Sequence, residues 1–188
     1  MGQLVAGLGL FIGAHALPML QGLRSSLQSR FGVNGYLIAM ALVSLAGMVL
    51  IGQGYGAAPY VEVWSPPRGL RHVSYLLMLP AFTLLIATYL PGQLRRFVRH
   101  PMLLAVKLWA TAHLLANGDL ASMLLFGGLL AWAVVDLISV SRRQRAAGVT
   151  PTLGPVRNDM IAVVAGLGLY ALTVFWGHGA IIGVGLLG

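Results

Sequence analysis

Five histidines, one lysine within an apolar run and four carboxylates hold nearly all the chemistry open to this chain. They are His15, His72, His100, His113 and His178, then Lys107, and Glu62, Asp119, Asp136 and Asp159. The absence of cysteine removes disulfides, thiolate metal sites and iron–sulfur clusters together. Any metal must therefore be held by imidazole, carboxylate or thioether. No G-x-S-x-G elbow, H-E-x-x-H pair or phosphate loop is present, so hydrolytic and nucleotide-dependent chemistries lack their usual motifs.

The stretch "RHPMLLAVKLWATAHLLANGD", residues 99–119, concentrates these groups in a segment otherwise apolar enough for lipid. Polar side chains are costly in hydrocarbon unless paired or functional. Trp109, His113 and Asn117 recur at i, i+4 and i+8 and share one helix face. A buried neutral imidazole needs a hydrogen-bond partner or a metal. Two readings of His113 follow: a histidine bonded to a neighbouring carbonyl or hydroxyl, or a ligand. His15, inside the first apolar run, has the same two. Two imidazoles on different helices also make a possible bis-imidazole clamp for a haem iron. His72 and His178 fall at helix ends and read as interfacial residues, although with His113 they make an alternative metal cluster in the outer half. Lys107 is rotated by roughly 200° from Trp109 and is expected to pair with Asp136 or to snorkel to the inner surface. Arg99-His100-Pro101 reads as a helix start whose bases meet headgroups.

The elements that must carry these residues are membrane helices. Hydrophobic residues make up 58% of the 188 and charged ones only 9%, with a mean hydropathy of +0.85, whereas soluble domains are about a quarter charged. Apolar windows fall at 2–23, 35–53, 71–90, 101–117, 119–139 and 158–178, each close to the roughly 17–25 residues that span a bilayer. The expected architecture is all-α: a single transmembrane domain over 1–188, a polytopic bundle of six transmembrane helices. Asn117-Gly118-Asp119 is expected to turn the chain, with Asp119 as the next N-cap. Arg24 and Arg30, Arg95, Arg96 and Arg99, and Arg142, Arg143, Arg145 and Arg157 place nine of the twelve basic residues in loops one, three and five. By the positive-inside rule those loops are cytoplasmic and both termini lie on the outer, periplasmic side. Topology thus accounts for the net charge of +8, and no nucleic-acid partner is expected. "LVAGLGLFIGAHA" lacks the positive n-region of a cleaved leader. The outer loop 54–70 reads as an interfacial flap, and the Gly9/Gly13, Gly52/Gly56 and Gly179/Gly183 pairs as close packing within the chain.

"LFIGAHALPML", "GYGAAPYVEVWSPP", "RHVSYLLMLPAF", "RHPMLLAVKLWATAHLLANGDLASMLLFGGLLAW" and "DLISVSRR" together resemble the NnrU family of bacterial inner-membrane proteins, most strongly over 1–145. Family members are associated with nitrite and nitric oxide reduction, and the family is related to 15-cis-ζ-carotene isomerase, a membrane haem b protein. That resemblance implies haem b with His15 ("AHALP") and His113 ("WATAH") as axial ligands, Trp109 and Asn117 beside it, and a redox or isomerase-like role on a lipophilic small molecule. The isomerase's cysteine position is Ala110 here, so ligand switching to a thiolate is excluded. Two alternatives are carried: a non-catalytic subunit or assembly factor of a respiratory or denitrification complex, and an S-adenosylmethionine-dependent membrane methyltransferase. The latter is suggested by "RHPM", although Leu103 stands where such enzymes have tyrosine.

Overall fold

Proline and glycine decide where several helices stop or bend. In the computed structural model, which describes residues 1–186, α1 runs Gly2–Ala16. It ends where Pro18, without an N–H, turns the chain through a 3-10 segment, Leu17–Met19. The first apolar stretch, expected to continue to residue 23, therefore breaks at Ala16. α2 spans Gln21–Gly56 and bends at Gly32, whose φ of 72° suits glycine. Residues 21–31 form a helical arm before that bend, although their serines and arginines read as a loop; Leu23, Leu27 and Phe31 share one side of it at helical spacing.

α3 is Leu70–Tyr89, followed by a 3-10 turn at Gln93–Arg96. α4 is Pro101–Ala116, with proline at the first turn where its missing N–H costs nothing. α5, Leu120–Ala146, starts as expected at an Asp119 cap, whose carboxylate accepts from Ser122 N at 2.9 Å and Ser122 Oγ at 2.6 Å. It runs past the expected residue 139, lifting Arg142, Arg143 and Arg145 on helical turns. α6, Val156–Leu172, continues through a π-turn at Thr173–Gly177 into α7, His178–Ile182. Five helical segments are long and apolar enough to cross a membrane, and α4 is a shorter apolar helix of 16 residues.

Packing places the helices in the order α2, α1, α5, α4, α3, α6 across the bundle. The chain alternates between a basic end, with Arg95, Arg99 and Arg143, and a loop end, with residues 57–69 and the α4–α5 turn. Leu4 and Leu8 of α1 meet Ala110 of α4 and Ala121, Leu125, Phe126 and Leu129 of α5 in the core. Leu37, Ile38, Leu42 and Leu45 of α2, and Met160, Val164 and Leu172 of α6, are each more than half exposed. Apolar surface on this scale has hydrocarbon as its natural solvent.

The glycines that bring α1 against α2 are not the expected pairs. A β-carbon at Gly7 would strike Ile51 N and Gly47 O, one at Gly47 would strike Phe11 N, and one at Gly54 would strike Leu4. At Gly9, Gly13, Gly52 and Gly56 nothing lies within 4 Å, because these glycines face away from the α1–α2 crossing. Gly47→Ala is expected to cost about 1–3 kcal/mol by overpacking, whereas Gly9→Ala should be silent. Thermal unfolding of the two variants in detergent separates these outcomes.

At the loop end, residues 57–69 do not spread as a free flap. Gly118 O accepts from Val63 N at 2.8 Å and Trp64 N at 3.1 Å, and Leu120 N donates to Val61 O at 2.8 Å. The loop is thereby strapped across the α4–α5 turn by an isolated antiparallel bridge, Glu62 to Asp119.

Candidate ligand cleft at the basic end

His15 sits in the last turn of α1. Its Nδ1 lies 2.8 Å from Phe11 O, which favours the Nδ1–H tautomer and leaves Nε2 as the nitrogen able to meet a ligand. The ring stacks on Phe11 at 4.1 Å and meets Trp132 edge-on at 5.4 Å. Trp132, Asp136, Val140 and Arg143 recur at helical spacing on α5, and Tyr36, Met40 and Ser44 do so on α2. With His15, Arg95, Arg99 and His100 these residues line a cleft of about 620 Å³, within the range of small-molecule sites.

Among the described residues, four buried polar side-chain atoms have no hydrogen-bond partner: Tyr36 Oη, Arg95 Nε, His100 Nε2 and Trp132 Nε1. All four belong to residues lining this one cleft. Buried polar groups are nearly always satisfied, so such a cluster makes this cleft the candidate ligand site. Arg95 is held by a bond from Nη2 to Thr88 O at 2.9 Å, with Nε unspent. Burial holds the His100 imidazole below the ordinary histidine range; the Asp136 carboxylate opposes that fall, and Arg99 and Arg95 add to it. His100 is thus inclined to be neutral, the form that can act as a ligand.

A clasp from α6 sets the turn carrying Arg95. The Asp159 carboxylate accepts from Gln93 N at 2.8 Å and Leu94 N at 3.2 Å, capping the 3-10 turn, while Asn158 Nδ2 donates to Pro91 O at 2.7 Å. Gln93 Nε2 completes the clasp by donating to Gly154 O at 2.6 Å.

The expected partner of His15 lies elsewhere. His113 Nδ1 is 2.8 Å from Trp109 O, and its ring stacks on Phe126 at 4.4 Å. Trp109 packs edge-on against Phe126, and Asn117 Nδ2 donates to His113 O at 2.9 Å, finishing α4. His113 abuts Phe126 and His15 abuts Trp132, six residues apart on α5, or about 9 Å along the helix and about 120° around it. The cleft that receives His15 does not include His113, Trp109 or Asn117. The outer cluster is not formed either: among the described residues no three His, Cys, Asp or Glu side chains can hold a metal ion. His72 is exposed at the start of α3, and His178 Nδ1 is 2.7 Å from Val184 O. Asp136, expected beside Lys107, lines the cleft with His100.

The family model described as "NnrU protein" matches residues 3–186. The chain belongs to the NnrU family. Searches of curated proteins and of solved structures returned no match. In this NnrU protein the matched span carries every residue of the cleft. Ala110 is fully buried in the core with Leu4 and Leu8.

Proposed function

We propose that this NnrU protein is a bacterial inner-membrane protein with six crossings and both termini periplasmic, and that its cytoplasmic-side cleft holds haem b for a redox or isomerase-like role. The observation that carries the reading is the convergence of unsatisfied polar atoms around His15. The residues fit such a group by donor chemistry. His15, with Nδ1 tied to a carbonyl, and His100, with Nε2 unpartnered, supply two imidazole nitrogens; Arg95, Arg99 and Arg143 suit propionates; Ala14, Leu37, Met40 and Val140 supply apolar wall. His100 takes the role first given to His113 because it lines the cleft and His113 does not. Bound there, haem would supply one-electron chemistry whose potential the axial ligands and the burial set. The two imidazoles would orient it and the arginines would balance its charge.

Protein purified in detergent and supplemented with haem is expected to show a Soret band; its absence would overturn the reading. Orientation is tested apart from ligand: alkaline phosphatase fused after Gly188 should be active, and an inactive fusion would reverse the assignment of the two ends. A second reading, a non-catalytic subunit of a respiratory complex, is favoured by Gly9, Gly13, Gly52 and Gly56, which leave α1 and α2 open to close approach by another helix. It predicts a stoichiometric membrane partner and no haem band.

A further inference from the structure

The cleft is bordered by α2, through Met40 and Ser44, and by α3, through Thr88. Among the described residues these two helices make no extended contact with each other. A gap at this level of a membrane bundle faces hydrocarbon, and Leu37 at its edge is more than half exposed. The cleft's lining carries three guanidinium groups, from the half-buried Arg95 and Arg143 and the exposed Arg99, against a single carboxylate, Asp136. Arg143 spends one donor on Ser139 Oγ and Arg95 spends one on Thr88 O, leaving most of their planar donor edges free. Guanidinium forks match carboxylate and phosphate oxygens, and partly desolvated sites strengthen that match.

We propose that the cleft recognises the anionic group of an amphiphile, a carboxylate or phosphate, on Arg95, Arg99 and Arg143, and admits it sideways from the cytoplasmic leaflet between α2 and α3. This deepens the reading of the cleft as a ligand site and does not require that the ligand be haem. The head lies at the basic end, where Arg95 and Arg99 approach the headgroup region, and the apolar remainder follows the Leu37–Met40 wall of α2. An entirely neutral hydrocarbon leaves the four orphaned polar atoms unmet, and a fully hydrophilic anion has no use for that wall.

The test uses the full chain in phosphatidylcholine nanodiscs, with farnesyl phosphate and farnesol as probes and calorimetry as readout. Farnesyl phosphate is expected to bind at least about tenfold tighter than farnesol, as two charge-assisted hydrogen bonds imply. Arg95→Gln with Arg99→Gln should erase that ratio, whereas Arg96→Gln, exposed and outside the cleft, should keep it. Ser44→Trp, which narrows the gap, should slow the association of farnesyl phosphate, followed by stopped-flow tryptophan fluorescence, while leaving the melting temperature unchanged. Equal binding of the two probes, or a ratio indifferent to the double variant, overturns the anion site; an unchanged association rate in Ser44→Trp overturns the sideways route. A second arm compares haem with its dimethyl ester. A Soret band equal for both, and indifferent to the arginines, overturns this proposal and leaves haem binding standing. Arginine-dependent farnesyl phosphate binding without any haem band does the reverse.

Discussion

His15→Ala is expected to abolish the haem band proposed for this protein, and His113→Ala is expected to leave it intact. The contrast follows from where each imidazole stands: His15 lines the cleft beside Trp132, while His113 is stacked on Phe126 outside it. Removing His15 would take away a ring nitrogen able to hold haem together with the carbonyl-bound tautomer that presents it. His100→Ala, which removes the second nitrogen but not the first, should shift the band and weaken haem retention without eliminating it. His113→Ala instead gives up a ring packed on Phe126 and the bond to Trp109 O, a loss on the order of 1–3 kcal/mol of stability. Absorption spectra and melting curves of the three variants separate ligand from packing roles. A band lost only in His113→Ala would reverse the assignment.

Gly118→Ala is the most damaging single methyl expected anywhere in the fold. A β-carbon there would collide with the Trp64 carbonyl and press on Pro66 Cδ, and both belong to the strap rather than to a flexible side-chain tip. Relief requires the strap to lift, which gives up three backbone bonds joining Gly118 O and Leu120 N to residues 61–64. At roughly 1 kcal/mol net for each bond plus about 1–3 kcal/mol of overpacking, the total exceeds about 3 kcal/mol. The melting temperature should fall by on the order of 10 °C, with faster proteolysis within 57–69. A fall below about 2 °C would mean that the strap bears no weight.

Helix positions were legible because lipid demands long apolar windows, and α3 and α4 match theirs within a residue, although only five segments are long enough to cross and α4 is a shorter apolar helix. The Asp119 cap was legible because its carboxylate needs only local N–H groups. The helical arm before Gly32 was not, since it is polar and rests on no apolar window. The glycine contacts misled for a related reason: which glycine faces a neighbour depends on helix rotation, and Gly7 with Gly47, rather than Gly9 with Gly13, points inward. The cleft itself lay in view but under another explanation. Arg95, Arg99 and Arg143 satisfy the positive-inside rule and His100 suits a headgroup contact, so the sequence alone gives each a sufficient role away from any cleft. The periodicity of Trp132, Asp136, Val140 and Arg143 was the signal that joins them to one helix face. The pairing of His15 with that face required knowing that α1 packs on α5, a long-range contact no spacing reveals.

α1 and α4 are the two short helices of the bundle, with 15 and 16 residues, or about 22 and 24 Å along their axes. A bilayer core is about 30 Å thick. Both helices reach their basic ends at the cleft, α1 just past His15 and α4 just after His100. A bilayer spanned by this pair would have to thin at the basic end, a hydrophobic mismatch that the 3-10 turn Leu17–Met19 after α1 relieves in part. Membranes of different thickness should therefore tune how far the cleft opens to the aqueous side.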